Sequence, residues 1–273
     1  MLTFIEPHPA LLLRHEKQRT LIVSDLHIGW EVALSEKGVH VPSQMPKLLE
    51  KLLQIIKQTK PSMLLLLGDV KHTIAKAATE EWRDVPDFFA TLTRTVPIIK
   101  IILGNHDGNL EPLLPEGIET LPPTGTTIGD VGFFHGHTWP AVELLKCRTL
   151  VMGHVHPMIM FHDPSGFRIT RQVWVRAKCN RDQLKKSLAR HYNIKQATTL
   201  NVKTAQFIIM PSFNEFLGGQ PVNRKGIGTD HKYQAFIGPV LRSKSVKIAD
   251  AELFLLDGTF LGTVEQLTDL SLS

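Results

Sequence analysis

The sequence predicts an α/β fold in which two mixed β-sheets pack face to face with helices outside, a four-layer αββα sandwich. In the first half, short apolar runs alternate with segments whose apolar residues recur at helical spacing. From residue 125 onward, short strand-like segments are bounded by turn residues instead. The 273 residues are enough to bury one large hydrophobic core.

The first predicted elements are a hairpin and a helix. Residues 11–13 and 20–24 form the two strands of the hairpin, which turns at Glu16 and Lys17. Pro42 and Ser43 then open an amphipathic helix, whose apolar positions at helical spacing are Leu48, Leu49, Leu52, Leu53 and Ile56.

Two more buried strands follow, with a helix between them. Residues 63–67 and 98–103 are continuous apolar runs, and residues 80–95 form the predicted helix. Pro86 leaves the first turn of this helix undefined. Its predicted apolar side consists of Trp82, Val85, Phe88, Phe89 and Leu92. Strand, helix and strand in alternation favour a sheet that is parallel at least in its first half.

The second half is predicted to be mainly β. A hairpin at Ile128 leads into Phe133, and a tight turn at Asp257-Gly258 closes the last strand. The short strands are residues 150–152, 167–170, 173–175, 207–210 and 253–256. We interpret residues 1–273 as one domain with a basic helical insertion near residues 178–204 and a C-terminal β-rich extension over residues 205–273.

Composition favours an anionic ligand and an intracellular protein. The net charge is +5 and the pI about 9.2, which suits a nucleotide or nucleic acid. No apolar run approaches the ~20 residues that span a bilayer, and residues 1–9 lack a signal-peptide apolar region. Cys147 and Cys179 form no CxxC pair, so neither a disulfide framework nor a structural zinc site is expected. We therefore expect a cytoplasmic protein that does not bind membranes.

Short motifs that contain Asp, Asn or His follow the predicted strands. In chain order they are Asp25-Leu-His27, Gly68-Asp69, Gly104-Asn105-His106-Asp107, His135-Gly-His137 and Gly153-His154-Val-His156. The carboxyl ends of strands in an open α/β sheet meet at one rim, where ligands bind. Glycines beside the polar residues let the backbone turn sharply and approach a ligand closely. We therefore expect these side chains to converge in one site.

This mixture of carboxylate, imidazole and amide ligands suits divalent metal ions. We expect two ions, with Mn²⁺ as the first choice and Fe²⁺, Zn²⁺, Co²⁺ or Ni²⁺ as alternatives. Asp69 is the natural bridging ligand because its motif contains no second ligand. Two ions ~3.5–4 Å apart hold a hydroxide nucleophile between them and neutralise phosphate charge. The motifs therefore favour hydrolysis of a phosphate ester.

The ordered set of motifs resembles the calcineurin-like metallophosphoesterase superfamily over residues 25–156. A closer resemblance covers Asp25-Leu-His-Ile-Gly-Trp-Glu31, the two following Gly-Asp and Gly-Asn-His-Asp motifs, and a segment from Pro211 to Asn223. It is to an archaeal-type branch related to the SbcD nuclease subunit and to DNA-ligase-associated phosphoesterases. This resemblance implies cleavage of phosphodiester bonds in nucleic acid or nucleotides, and a partner protein such as a helicase or ATPase.

The resemblance also implies a role for each residue. The first ion would be held by Asp25, His27, Asp69 and His156. The second ion would be held by Asp69, Asn105, His135 and His154. His106 would lie beside the phosphate and stabilise the transition state or protonate the leaving oxygen. Asp107 would either orient His106 or act as a turn or cap residue, and His137 would either touch substrate or exchange roles with His135.

One motif departs from the family pattern. Many relatives have Gly-Asp-x-x-Asp, whereas this chain has Gly68-Asp-Val-Lys-His72, so His72 cannot supply the usual second carboxylate. Lys71 and His72 would then either bind phosphate or orient His106. The alternative is a solvated lysine beside a histidine that lies behind the ligands.

Several other residues are candidates with weaker signals. Trp30, Glu31 and Arg83 follow predicted strands or lie near the rim, and Trp30 would either stack on a base or be buried. The histidines interpreted as structural or surface residues include His8, His40, His162 and His231.

Residues 181–192 form a predicted basic helix with Asp182 as its N-cap. Leu184 and Leu188 would anchor it on the core, one helical turn apart. The basic residues of this segment are Lys178, Arg181, Lys185, Lys186 and Arg190. They would either follow a phosphate backbone or form an ordinary solvated face.

The leading hypothesis for function is a metal-dependent phosphodiesterase, nuclease-like, acting on nucleic acid or nucleotides. A phosphomonoesterase or a 2′,3′-cyclic nucleotide phosphodiesterase is the alternative among enzymes. A non-catalytic interaction scaffold with the same fold is the alternative outside enzymes. The complete set of ligand residues argues against the scaffold, because a decayed site would have lost some of them.

Overall fold

The computed structural model describes residues 1–75, 77–163, 165–224 and 235–270, and it confirms the predicted fold class. The strands are β1 Leu2–Phe4, β2 Leu11–His15, β3 Gln18–Val23, β4 Met63–Leu67, β5 Ile98–Ile102, β6 Glu119–Leu121, β7 Thr126–Ile128, β8 Val131–Phe134, β9 Thr149–Met152, β10 Met158–His162, β11 Arg168–Lys178, β12 Gln206–Ile209, β13 Glu252–Leu255 and β14 Phe260–Thr263. The helices are α1 Val32–Ser35, α2 Met45–Thr59, α3 Thr79–Leu92, α4 Arg181–His191, α5 Pro239–Arg242 and α6 Val264–Leu270.

The first sheet has the order β1-β2-β3-β4-β5-β6 and is parallel from β3 to β6. Strand β4 is buried on both faces, which explains its continuous apolar sequence. Leu64 and Leu66 pack against the side covered by α2 and α3, whereas Leu65 and Leu67 point into the space between the two sheets. This alternation is the period of two that a strand imposes on its side chains.

The second sheet has the order β14-β13-β11-β12-β9-β8-β7, and β10 pairs with β11 beside it. Phe133, Trp174 and Ile208 face the first sheet and form the core between the sheets. The opposite face packs on helices, with Leu184 and Leu188 of α4 in its core. The molecule therefore has four layers: helices, sheet, sheet and helices.

The structure shifts several sequence-based boundaries by a few residues and makes its largest correction in β11. The segments predicted as separate strands at residues 167–170 and 173–175 are one strand, β11, which runs through the polar Arg171 and Gln172. Its partner β10 was not predicted. In the sequence, the polar residues inside β11 look like a break between two strands. In the structure, the backbone of these residues pairs with β10, so the strand continues through them.

Three smaller predictions also need correction or comment. Trp82 is 54% exposed, because it lies on the solvent side of α3 and not on the predicted apolar side. The N-cap of α4 is Asn180, whose Oδ1 accepts a hydrogen bond from Gln183 N at 3.2 Å, and not Asp182. His231 lies outside the described residues. In the described part of the chain, no helix combines the length and apolarity needed to cross a membrane.

Both sheets end at one common rim. The loop after β3 is joined to the loop after β4, since Asp25 N donates to Gly68 O at 3.2 Å. In the second sheet, Gly153 N donates to His135 O at 3.0 Å. His135 Nδ1 donates in turn to Leu67 O of the first sheet at 2.6 Å. The motif loops of both sheets therefore meet at this rim.

Candidate metal centre

Unusual backbone conformations bring the motif side chains inward. Non-glycine residues seldom adopt a positive φ, and such residues gather at functional sites. Here the φ angles run from 45° to 70° at five motif residues, namely Asp25, His27, Asp69, His154 and His156. Hydrogen bonds between loops hold this geometry, as when His27 N donates to Asp69 O at 2.8 Å.

Glycines are required where two loops touch. A Cβ on Gly104 would lie 2.2 Å from Asp69 Oδ1, and a Cβ on Gly153 would lie 1.8 Å from Ser24 Oγ. Neither position has room for a side chain. The glycines of these motifs therefore let the polar side chains of neighbouring loops approach closely.

The first cluster consists of Asp25, His27 and His156, whose potential ligand atoms lie within 4.8 Å of one another. Asp25 and His27 are buried, and His156 is half-buried. His156 Nε2 lies 3.2 Å from Asp25 Oδ1. Ser24 Oγ donates to the other carboxylate oxygen, Asp25 Oδ2, and so fixes the carboxylate plane.

The second cluster consists of Asp69, His135 and His154, again with ligand atoms within 4.8 Å of one another. His135 Nε2 lies 3.3 Å from Asp69 Oδ2 and 3.3 Å from Asn105 Oδ1. The structure thus brings Asn105 to the same group. The bond from His135 Nδ1 to Leu67 O leaves Nε2 as the nitrogen that faces the cluster, the usual arrangement behind a metal ligand.

Asp69 lies between the two clusters. Its Oδ2 is 3.5 Å from His27 Nε2 of the first cluster and 3.3 Å from His135 Nε2 of the second. Its other oxygen, Oδ1, accepts from His106 N at 2.9 Å. A carboxylate in this position has the geometry that a bridging ligand requires.

The side chains fit divalent cations. His27 Nε2 and His156 Nε2 are buried and have no hydrogen-bond partner among the described residues, although carboxylate oxygens lie 3.5 Å and 3.2 Å away. A buried polar atom left unpaired costs about 1–3 kcal/mol. A shared cation would satisfy nitrogens and oxygens that point at a common centre without bonding each other. This set of donor atoms suits Mn²⁺, Fe²⁺, Zn²⁺ or Co²⁺.

Burial keeps two of the proposed histidine ligands in the form that binds metal. It lowers the pKa of His27 to about 3. Burial and the neighbouring His135 together lower the pKa of His154 to about 4. The neutral imidazole is the metal-binding form, so these rings need not lose a proton at neutral pH.

The two carboxylates stay charged although they are buried. Burial alone would raise the pKa of Asp69, but the adjacent His135 and His27 hold it well below its ordinary value. Burial alone would lower the pKa of His135, but the carboxylates of Asp69 and Asp25 outweigh it and raise that pKa to about 9. Without a metal ion, a proton on His135 balances only one of the two negative charges of Asp25 and Asp69.

His106 lies beside the first cluster. Its ring contacts the His27 ring edge-on, with 4.7 Å between centroids, and the side chain is half-buried. The ring nitrogen Nδ1 donates to the carbonyl oxygen of His72. This bond leaves Nε2 available to a ligand in the cleft, as a role in proton transfer requires.

His72 lies behind a metal-ligand candidate. His72 Nδ1 is 3.3 Å from His27 Nδ1, and His27, His72 and His106 form a third group whose ligand atoms lie within 4.8 Å. When His27 Nδ1 donates to His72, the opposite nitrogen Nε2 carries the lone pair that faces Asp25 and Asp69. The geometry therefore favours an orienting role for His72.

Asp107 connects two loops. Its Oδ2 accepts from Asp69 N and Gly104 N, each at 2.8 Å, and its Oδ1 accepts from Val70 N at 2.8 Å. Burial and the nearby Asp69 raise the pKa of Asp107 to about 6. The sequence left two interpretations of Asp107 open. These bonds favour the one in which it is a turn or cap residue, because its carboxylate accepts hydrogen bonds from backbone amides.

Of the roles that the sequence left open for Lys71, the structure favours orientation of His106. The side chain is fully buried, and its ammonium group donates to His106 O at 2.7 Å and to Thr73 O. It is neither a solvated lysine nor a group exposed to phosphate. The reason is tertiary, since two carbonyl groups from separate loops converge on the ammonium group and compensate its burial.

His137 lies at the edge of the second cluster. Its ring centroid is 5.2 Å from that of His135 and 6.1 Å from that of His154. Its Nδ1 is buried without a hydrogen-bond partner among the described residues. Because His135 makes the contact with Asp69, the geometry favours His135 as the ligand and leaves His137 free to touch substrate.

The three weaker candidates at the rim differ from one another. Arg83 is exposed on α3, and its described ion pair is with Asp84 at 2.8 Å and not with a residue of the metal centre. Glu31 is buried, and its Oε1 accepts from Gln44 N at 2.6 Å. Trp30 stacks on Phe216, with 6.0 Å between ring centroids.

The sequence interpretation missed Glu81. This fully buried carboxylate accepts from His72 N at 2.9 Å, from Thr73 N at 2.8 Å and from Ala78 N at 2.8 Å. It therefore holds the loop that carries His72. The available signal was a glutamate in the first turn of a predicted helix, where it accepts backbone hydrogen bonds.

Comparison with known proteins gives a family match and a set of similar solved structures, two of which follow. The model of the Metallophos family, calcineurin-like phosphoesterase, matches residues 18–190. The nuclease MPE of Pseudomonas putida is 16% identical, covers 91% of this chain and 97% of its own, and has a TM-score of 0.49. YfcE, a phosphoesterase from E. coli, is 20% identical, covers 53% of this chain and 73% of its own, and has a TM-score of 0.33.

Proposed function

Because the chain belongs to the calcineurin-like phosphoesterase family, we propose that it is a binuclear metal-dependent phosphodiesterase whose substrate is a nucleic acid or nucleotide. The observation that supports two ions is the position of Asp69 Oδ2, which lies 3.5 Å from a histidine nitrogen of one cluster and 3.3 Å from that of the other. One carboxylate oxygen within reach of two imidazole groups suits a shared ligand.

Each residue has a task in this proposal. Asp25, His27 and His156 hold the first ion, and Asn105, His135 and His154 hold the second. Two bound divalent ions supply charge neutralisation for the phosphate and activation of the attacking water. His106 lies beside the first cluster with Nδ1–H bonded to the His72 carbonyl, so the doubly protonated ring would donate the Nε2 proton to the leaving oxygen, or a hydrogen bond to the phosphate. Lys71 and Asp107 hold the His106 loop in position through the backbone.

Positive charge supports a polymeric anionic substrate. The net charge is +5, and Lys186 and Arg190 are exposed on α4, one helical turn apart. The C-terminal end of α4 reaches the rim of the second sheet, because the His191 ring lies 5.6 Å from the ring of Trp139, two residues after His137. A strand bound at the metal centre would therefore pass this helix end. The helicase or ATPase partner expected from the family resemblance is a further part of the proposal.

An activity panel tests the function. Metal-depleted protein is assayed with and without Mn²⁺ on an aryl phosphodiester, an aryl phosphomonoester, 2′,3′-cyclic nucleotides, and single- and double-stranded DNA and RNA. Metal-dependent cleavage of the diesters and of an oligonucleotide is the expected result. Cleavage of the monoester alone would replace the proposal with a phosphomonoesterase. Hydrolysis of none of these substrates by protein that binds metal would favour the scaffold.

Reversing the charge of α4 is expected to weaken nucleic-acid binding without changing the chemistry. In the triple variant Lys185→Glu, Lys186→Glu and Arg190→Glu, oligonucleotide affinity should fall and its dependence on salt should become shallower. Each lost phosphate contact lowers the slope of log K against log salt by about 0.7–0.9. Fluorescence anisotropy at a series of salt concentrations measures both quantities.

The control for this variant is a small substrate. Turnover of an aryl phosphodiester should stay near the wild-type value, because none of the three substituted residues belongs to the proposed metal centre. Unchanged oligonucleotide affinity would mean that the basic side of α4 is an ordinary solvated face. A parallel loss of turnover on the small ester would mean that the substitutions disturb the fold and not a binding surface.

A further inference from the structure

Phe216 is an exposed aromatic side chain on a short helical turn, Glu215–Leu217, that follows β12. Its side chain is 41% exposed. Single exposed apolar residues are common and need no explanation by themselves. Here the surroundings of the ring, and not its exposure alone, indicate a binding role.

The ring is tied to the first metal cluster through the backbone. Asn214 is fully buried, and its Nδ2 donates to Leu26 O, between Asp25 and His27, at 2.9 Å. Its Oδ1 accepts from Phe216 N at 3.0 Å. One buried side chain therefore links the Phe216 turn directly to the loop that carries two of the proposed ligands, which sets the position of the ring relative to them.

A second aromatic ring supports the first. Trp30 and Phe216 stack almost in parallel, with 10° between ring planes and 6.0 Å between centroids. Trp30 is also fixed to the metal loop, since its N donates to His27 O at 3.2 Å. Its indole Nε1 is buried without a hydrogen-bond partner among the described residues, so a donor beside the rings is still unused.

Positive charge and an open cavity adjoin the rings. Lys47 Nζ lies 5.5 Å from the centroid of Phe216, and the lysine is exposed. A cavity of about 550 Å³ is lined by Phe216, Arg171 and Met158, which is two residues after His156. Its volume lies within the ~300–1,000 Å³ of small-molecule sites. The Phe216 ring, with Lys47 over it and Arg171 in the cavity wall, offers an aromatic face and positive charge to a base that is attached to phosphates, although Glu215 and Asp257 also line this cavity.

We propose that Phe216, supported by Trp30, is a stacking site for a nucleobase of a single-stranded nucleic acid substrate. The proposal rests on the proposed phosphodiesterase function and adds a subsite for the base next to the scissile phosphate. Stacking tolerates any base, because every base has a π-face. Bases within a duplex are already stacked on each other, so the subsite selects a single strand. Lys47 and Arg171 bind the adjacent phosphates.

The test compares two oligomers of equal length and charge. One carries bases, as oligo(dA), and the other is an abasic backbone; both have phosphorothioate linkages, which keep the charge and slow hydrolysis. Affinity for the metal-loaded, full-length protein is measured by fluorescence anisotropy. The variants are Phe216→Ala, Phe216→Leu and Phe216→Trp. Phe260→Ala is the matched control, because Phe260 is 56% exposed and lies on the edge strand β14.

Phe216→Ala should weaken binding of the base-bearing oligomer on the order of 10-fold, the usual scale for one lost stacking contact. Phe216→Leu should weaken it similarly, because leucine keeps an apolar side chain but has no π-face. Phe216→Trp should preserve it. Neither the abasic oligomer nor the Phe260→Ala control should show a change. Metal content and unfolding midpoints equal to wild type show that the variants are folded.

Two outcomes overturn the inference. If Phe216→Ala leaves affinity for the base-bearing oligomer unchanged, the ring does not stack on a base. If it weakens both oligomers equally, the residue acts on the backbone or on the fold. Both results leave the proposed function standing. If the wild-type protein binds neither oligomer, the result would instead contradict the proposal that the substrate is a nucleic acid. The stacking site would then be excluded as well.

Discussion

Asp69→Asn is expected to lower metal content from two ions per chain towards none and to lower turnover on the order of 10³-fold or more. The reason is the position of the Asp69 carboxylate, whose Oδ2 lies 3.5 Å from His27 Nε2 and 3.3 Å from His135 Nε2. The amide keeps the size of the side chain but removes the charge and replaces one ligand oxygen with a donor. Both ions therefore lose a ligand together.

The matched comparison is His27→Ala, which removes a ligand from one cluster only. Elemental analysis after reconstitution should give about one ion per chain for His27→Ala and close to none for Asp69→Asn. Titration with Mn²⁺ should show one weakened site in the first variant and two in the second. Two fully retained ions in Asp69→Asn would exclude the bridging role, and wild-type protein that binds no divalent ion under any condition would exclude the metal centre.

His106→Ala is expected to keep the metal content and to lower turnover by ~10²–10⁴-fold, the usual scale for a lost acid–base group. The ring lies beside the first cluster, 4.7 Å from the His27 ring, and its Nδ1 is occupied by the His72 carbonyl. Loss of the imidazole therefore removes a proton donor from the cleft but no proposed metal ligand. Turnover and metal content are measured on the same preparation.

Leaving groups distinguish proton donation from a general structural effect. An aryloxide leaves without protonation, whereas the alkoxide of a nucleotide does not, so His106→Ala should damage oligonucleotide cleavage more than cleavage of an aryl phosphodiester. An equal loss on both substrates would favour stabilisation of the phosphate by His106 instead. His40→Ala, at an exposed histidine, is the control and should match wild type. Undiminished oligonucleotide cleavage by His106→Ala would contradict any catalytic role.

The strands that position the centre were predictable from the sequence because they are buried on both faces. The run at residues 63–67 was predicted as a strand and is one in the structure. The polar residues that follow such runs, as Asp69 follows β4, then fall at a common rim for reasons of topology. In contrast, β10 was missed although it begins with an apolar run, and the full length of β11 was missed because its first four residues are exposed and mostly polar.

Roles that depend on contacts between loops of the folded chain were not predicted. The sequence left phosphate binding, orientation of His106 and solvation open for Lys71, and the structure shows its ammonium group buried against carbonyl groups of Thr73 and His106. Glu81 looks like an ordinary residue of a helix N-terminus, yet it is fully buried and holds the His72 loop. Asn214 contacts Leu26 across 188 residues of sequence and brings Phe216 to the metal loop.

The sequence by itself determined which residues stand at the ends of the strands and in what order, because strand burial and turn formation depend on neighbouring residues. Only the tertiary structure decided which of those residues face one another. The separation of Asp25, His27 and His156 from Asp69, His135 and His154 arises where loops of two different sheets meet. That meeting depends on how the sheets pack through their shared core, and packing between distant segments leaves no local pattern in the sequence.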